Sequence, residues 1–305
     1  MKKWRKRIFL GFILVLLVLI GSATVLWWMS YGREAWYGRK LSAQELATNF
    51  KSASAKLLNI QNWAQDNQCW ATAGTLPASQ RVNTDPTTAP STSRTITLSQ
   101  DELNSILDKY EQELMAKYGQ YISDPYIAIH DGRIVLAVTL KDANRPLSVH
   151  VEPLLDDKGL FMLRIDHLQL GRITVPRGLW GSYLDKLAEQ LAPKVEQTRQ
   201  GARMEPDGMA SADAVTSALD RLLLNSLKDK GSDAVLFLPA DPSHMERGFP
   251  VKVTNIKIEE KQLTLTLVTL NKQEQDQLLE RVRAPLGEEP EPPITAPKSE
   301  ITSAK

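Results

Sequence analysis

The chain has 305 residues, with 37 Lys and Arg against 36 Asp and Glu, for a formal net charge of +1. Setting aside the five cations ahead of residue 8 leaves 32 basic against 36 acidic residues, a net of −4, which excludes the basic face that nucleic-acid binding needs. The single cysteine, Cys69, cannot close an internal disulfide, so the fold must rest on its apolar core.

Residues 1–7 carry Lys2, Lys3, Arg5, Lys6 and Arg7 with no acid, the pattern retained on the cytoplasmic side of a first membrane segment. Ile8–Trp28 follows, 21 residues without a charge. At about 1.5 Å per residue, about 20 apolar residues cross the hydrocarbon, so residues 8–29 read as a transmembrane helix. Trp27, Trp28 and Tyr31 suit the outer headgroup layer. A cleaved secretory signal shares the basic start, but its apolar core is usually about 7 to 15 residues, and two tryptophans make a poor cleavage context. Both readings export the body of the chain.

A juxtamembrane helix is expected within 34–72, where Leu46, Phe50, Ala53, Leu57 and Leu58 recur at helical spacing behind a Ser42–Glu45 capping box. Residues 73–95 turn to Thr, Ser, Pro and Asn and read as a flexible linker. The body spans 96–284. It opens with the capping box Ser99-Gln100-Asp101-Glu102 and a helix carrying Leu103, Ile106, Leu107, Tyr110 and Leu114.

The period then changes to two. Ile127 and Ile129, Ile134 to Leu140, Leu147 to Val151, Phe161 to Ile165 and Leu168 to Val175 alternate as strands, with turns at Asp131-Gly132 and Asp156 to Gly159. After Pro176, helices are expected through Leu179, Trp180, Tyr183 and Leu187 and through Val215 to Leu227. A short strand near Val235, a hairpin over Val251 to Val268 and a helix from Asn271 to Arg283 follow. Residues 285–305 read as a Pro-rich disordered tail. Antiparallel strands interrupted by helices indicate an α+β fold, an antiparallel sheet packed on amphipathic helices.

Two stretches, Thr97-Leu98-Ser99-Gln100-Asp101-Glu102-Leu103-Asn104 and Leu168-Gln169-Leu170-Gly171-Arg172-Ile173-Thr174-Val175-Pro176, resemble the YpmS-like proteins of bacteria. They also look like other small envelope proteins with a tubular lipid-binding fold. The resemblance covers at most Ile96 to Val195 and implies a helix lying in a curved sheet with an apolar groove between them. It brings no catalytic residues. The 73–95 linker, the Val235 to Leu270 strands and the proline-rich tail depart from it.

Residues with chemistry to offer are dispersed. His130, His150 and His167 fall on expected strands at spacings that no zinc motif uses locally, and read as solvent-facing or singly hydrogen-bonded. No nucleophile elbow, phosphate loop or paired carboxylate stands out, so no cofactor or metal is assigned. What remains is apolar. Leu103, Leu107, Tyr110, Leu136, Val138, Leu179, Trp180, Tyr183 and Leu187 are the residues expected to line either a core or a ligand groove. The expectation is a single-pass, non-enzymatic, extracytoplasmic protein of the cell membrane, anchored in the bilayer through Ile8–Trp28, that binds a lipid or another apolar ligand. An envelope scaffold that binds other envelope proteins, or a hydrolase without a recognisable motif, are the alternatives.

Overall fold

The computed structural model describes Met29, Tyr37 and residues 40–67, 92–156, 159–205, 209–241 and 244–286. The Ile8–Trp28 run, Cys69, most of the expected linker and the tail beyond Leu286 lie outside the described residues. Among the described residues, no helix is long and apolar enough to cross a membrane.

The first half runs α1 (Ala43–Asn67), β1 (Ser93–Ser99), α2 (Gln100–Tyr118), β2 (Ile122–His130), β3 (Arg133–Leu140), β4 (Arg145–Leu155), β5 (Leu160–Leu170) and β6 (Ile173–Val175). The second half runs α3 (Arg177–Arg199), α4 (Ala212–Leu227), β7 (Ser232–Asp233), β8 (Val235–Asp241), β9 (His244–Glu259), β10 (Gln262–Thr269) and α5 (Lys272–Arg283). All strand pairs are antiparallel, and the chain has the expected α+β class.

Among the described residues there are two sheets rather than one. β1 pairs with β10 in a four-stranded sheet of order β1-β10-β9-β8, while β2 to β6 form a meander in chain order, with β7 added to β5. The sequence reading ended the linker at Thr95 and set the preceding helix apart from the body. Instead β1 begins at Ser93, and Ile60 and Ala64 of α1 are buried with Ile96, Val251 and Leu267 of its sheet. Glu102 fastens α1 to α2. Its carboxylate accepts from Ser52 Oγ at 2.6 Å, from Lys56 Nζ at 2.8 Å and from the Ser99 amide of its own capping box at 2.8 Å. Burial works against the ionised form of Glu102, but these donors and the Lys56 charge hold its pKa below the usual carboxylate value.

Local chemistry fixes the meander. Asp131 and Gly132 both have positive φ, 51° and 72°, as a two-residue hairpin turn with right-handed strand twist requires. At the β4–β5 turn the Asp156 side chain accepts from the Leu160 amide at 2.7 Å, and Gly159 takes φ 73°. Register irregularities between Ser123 and Tyr126 and between His150 and Val151 coil the sheet. Leu155 and Phe161, at one end of β4 and β5, pack into the core of the four-stranded sheet and join the two sheets there.

The exposed edge of β2 is closed by side chains. Asn104 Nδ2 donates to the Ile127 carbonyl at 2.6 Å while Asn104 Oδ1 accepts from the Ile127 amide at 2.9 Å. One turn earlier, Gln100 Oε1 accepts from the Ile129 amide at 2.9 Å. Helical i, i+4 spacing thus presents two amides to alternate residues of a strand edge.

Candidate ligand-binding face

Because partners across a sheet share a face, the pairing table of β2 to β6 sorts every side chain to one side or the other. One rung reads Ile127, Leu136, Val149, Leu168, Val175 across five strands. The rungs beside it read Ile129, Ile134, Val151, Ile165 and Val138, Leu147, Leu170, Ile173. This face is apolar from β2 to β6; Ile129 and Val151 on it are buried, but elsewhere it is left half-open: Leu136 keeps 46% of its surface exposed, and Leu147, Val149, Leu163, Leu168 and Leu170 are only partly covered.

The opposite face is smaller and more polar, with rungs Tyr126, Ala137, Ser148, Gln169, Thr174 and Ala128, Val135, His150, His167. It is nevertheless the better closed of the two. Ala128 and Val135 are fully buried, and Tyr37 lies over them, packed edge-on to Tyr126 at 6.0 Å with its hydroxyl 2.9 Å from Thr139 Oγ1 and donating to the Asp124 carbonyl. An antiparallel sheet ordinarily buries its large apolar side and wets its polar side. Here the two are exchanged, and the open side is the one with the larger hydrophobic surface.

On the polar side His150 and His167 face each other in register, their rings stacked at 3.9 Å. The sequence reading had these imidazoles as solvent-facing or singly hydrogen-bonded. Because this face is closed, His150 is instead 7% exposed, with Nε2 3.1 Å from Gln169 Oε1 and 3.3 Å from Ser148 Oγ. Burial first, and the neighbouring His167 next, lower its pKa to about 4. Asp166 sits 2.8 Å from His167 Nδ1 and 3.3 Å from Arg133, and its pKa is lowered chiefly by the His167 hydrogen bond. His130 lies apart at the turn, beside Asp131. Among the described residues, no group of three or more His, Cys, Asp or Glu could hold a metal ion.

The residues singled out in the sequence divide. Leu136 and Val138 lie on the open sheet face. Leu103 packs against the core of the other sheet, and Leu107 and Tyr110 are half-buried along α2. Trp180 is buried, its Nε1 donating to the Val175 carbonyl at 3.0 Å and the Arg177 guanidinium lying 5.8 Å from its ring centre. Leu179 and Tyr183, each 66% exposed, and Leu187, 49% exposed, do not share its wall. The helix packs through Trp180, Ala188 and Val195, a side rotated away from those three. Of the expected stripe, Trp180 alone lies on the packed side of α3. What the sequence reading missed are Leu147, Val149, Leu168 and Leu170, whose alternation was legible but whose shared, open face follows only from the register.

The face has two distinct ends. At one, Leu155 and Phe161 run into the second sheet. The other ends at Arg145, which pairs with Leu140 beyond the Val138 rung, and at the β5–β6 turn, where the Gly171 amide donates to the Pro146 carbonyl at 2.7 Å. At that turn the Arg172 amide donates to the carbonyl of Met29 at 3.1 Å, so the residue following the Ile8–Trp28 run is fixed beside this end of the sheet. A separate recess of about 220 Å³ lies between α4, β7, β8 and α5, lined by Leu219, Leu222, Val235, Phe237, Arg221 and Arg281. It is smaller than the roughly 300 Å³ at which ligand pockets ordinarily begin.

These features define the class of protein: an α+β body of two antiparallel sheets, one of which leaves a broad apolar face half-open. No family model, no curated protein and no solved structure matches this chain.

Proposed function

We propose that this chain is a single-pass, membrane-anchored protein with an extracytoplasmic body that binds an acyl chain of a lipid, or a ligand of similar apolar chemistry, on the open face of the β2–β6 sheet. The observation carrying this reading is the exchange of faces: Leu136, Val149 and Leu168 lie half-open while Ala128 and Val135 behind them are buried. An apolar surface of this breadth is unfavourable in water and is retained where something apolar covers it. The 21-residue Ile8–Trp28 run is the anchor in this reading, and Met29, the residue after it, is bonded to Arg172 at the Arg145 end of the face. A lipid then enters from the bilayer with its acyl chain along the rungs and its phosphate beside the Arg145 guanidinium. The resemblance of the Thr97–Asn104 and Leu168–Pro176 stretches to YpmS-like and tubular lipid-binding proteins points the same way.

Full-length protein extracted from membranes in a mild detergent and analysed by native mass spectrometry tests this. The expected result is lipid retained at a defined stoichiometry and lost in Leu136→Glu, a change at a half-open position that leaves the fold intact. Protein without bound lipid, or equal lipid on the variant, would overturn the reading. A reproducible protein partner in place of lipid would favour an envelope scaffold.

A further inference from the structure

Large apolar residues are also exposed away from the sheet. On α3 these are Leu179, Tyr183 and Leu187, and on α4 they are Leu219 and Leu223, each about half or more exposed. The two helices are antiparallel. Arg177 at the start of α3 pairs with Asp229 just past the end of α4, and Ala188 and Val195 pack on Leu224 between them.

Helical spacing of about 100° per residue places Leu179, Tyr183, Leu187, Lys186, Gln190 and Lys194 within one arc of about 100° on α3. Asp185, Glu189 and Glu196 fall about a third of a turn away. On α4, Leu223 and Leu219 lie about 100° and about 140° from the Leu224 contact. For right-handed helices running in opposite directions, these offsets bring both apolar stripes to the same side of the hairpin. That side therefore carries five large apolar residues and two lysines, with the α3 acids turned off it and with Asp220 of α4 facing Lys194. Lys186 already lies along the Tyr183 ring, Nζ 5.8 Å from its centre.

Large apolar residues bordered by lysines are the marks of a helix that lies in a headgroup layer. Position supplies the second argument. Met29, immediately after the apolar Ile8–Trp28 run, is bonded to Arg172, only five residues before α3 begins at Arg177. Five residues span at most about 17 Å, so the start of α3 is held near the point where the anchor joins the body. Arg172, exposed, lies beside that point, and Arg177 is held there by its pair with Asp229.

We infer that the α3–α4 hairpin docks on the outer surface of the bilayer, with Leu179, Tyr183, Leu187, Leu219 and Leu223 inserted at the headgroup level and Lys186 and Lys194 against anionic phosphates. This rests on the reading of Ile8–Trp28 as a membrane anchor, but not on the presence of a ligand on the sheet. It gives the body a fixed attitude on the membrane rather than a free tether.

The test uses full-length protein in vesicles of phosphatidylcholine with a minor fraction of phosphatidylglycerol. In a Cys69→Ser background, one cysteine at a time is introduced as Val15→Cys, Tyr183→Cys, Leu223→Cys or Glu196→Cys and labelled with a polarity-sensitive fluorophore. Quenching by lipids brominated on their acyl chains is then measured. The expected result is strong quenching at 15, and quenching at 183 and 223 several-fold greater than at 196 on the acidic flank. Lys186→Glu combined with Lys194→Glu should reduce the signal at 183. Quenching at 15 with 183 and 223 no greater than 196 overturns the docking while leaving the anchor standing. Quenching at 183 and 223 without quenching at 15 overturns the anchor and supports the docked surface. Quenching at none overturns both.

Discussion

His150 is a neutral imidazole stacked on a second one, held by Gln169 and Ser148 in a closed layer. Its pKa in the folded protein, about 4, lies below the 6.5 of an unperturbed histidine. The folded state therefore resists a proton that the unfolded chain accepts. The stability from this residue is complete above pH 6.5 and is lost as pH falls toward 4, by up to about 3 kcal/mol. The other charges facing it are His167 and Arg133, which oppose protonation, and Asp166, which favours it. Urea unfolding followed from pH 7 to pH 4 should show this decline, and His150→Gln should flatten it over the same interval. A second pair of residues separates packing from exposure on one helix. Trp180→Ala should cost about 3 to 5 kcal/mol through lost transfer energy and a cavity, whereas Tyr183→Ala, on the exposed side, should stay within about 0.5 kcal/mol in detergent solution. Sequence periodicity grouped the two because three-residue spacing allows a shared side; which part of that arc is buried is decided by Ala188 and Val195 against Leu224, contacts that spacing alone does not contain.

Hairpins set by local chemistry were legible, and long-range pairings were not. Asp131-Gly132 announces its turn, and Ser42–Glu45 and Ser99–Glu102 announce two helix starts, because each signal lies within four residues. β1 was read as partly linker since Thr95 and Thr97 alternate with only two apolar residues, Ile96 and Leu98. It becomes a strand because β10, more than 160 residues later, supplies its partner, with Thr97 and Thr264 hydroxyls 3.0 Å apart across the pair. The closing of the β2 edge by α2 was equally hidden, since Gln100 and Asn104 carry no apolar signal. Asn104→Ala should leave the part-buried Ile127 amide and carbonyl without these partners and cost about 2 to 6 kcal/mol, at about 1 to 3 kcal/mol for each group left unsatisfied. Glu102→Gln should destabilise as well. Its lowered pKa means its contribution is present above the unfolded carboxylate value and fades as pH falls through the folded one. The effect of Glu102→Gln should therefore shrink in acid, as read by thermal unfolding at pH 7 and pH 3.

The two sheets solve different problems. The β1-β10-β9-β8 sheet carries the larger core, with α1 covering it, and holds the chain together without a disulfide. The β2–β6 sheet is fastened to it at the Leu155 and Phe161 end and leaves its apolar rungs half-open toward the end where Met29 meets Arg172. Sequence alternation identified its strands and their apolar parity. It did not identify the open side, because both sides contain aliphatic residues and only the tertiary packing, Tyr37 over Ala128 and Val135, shows which one is covered. The same alternation provides the sharpest test of the proposed function. A photoreactive phenylalanine analogue at position 136 or 163, on the apolar face, is compared with one at position 164, the next residue on β5 and exposed on the other face. After irradiation of the full-length protein in native membranes, covalent lipid adducts are measured by mass spectrometry. Adducts at 136 and 163 and not at 164 are the predicted result. Equal labelling at all three positions, or none at 136 and 163, would contradict a lipid-binding face on this sheet.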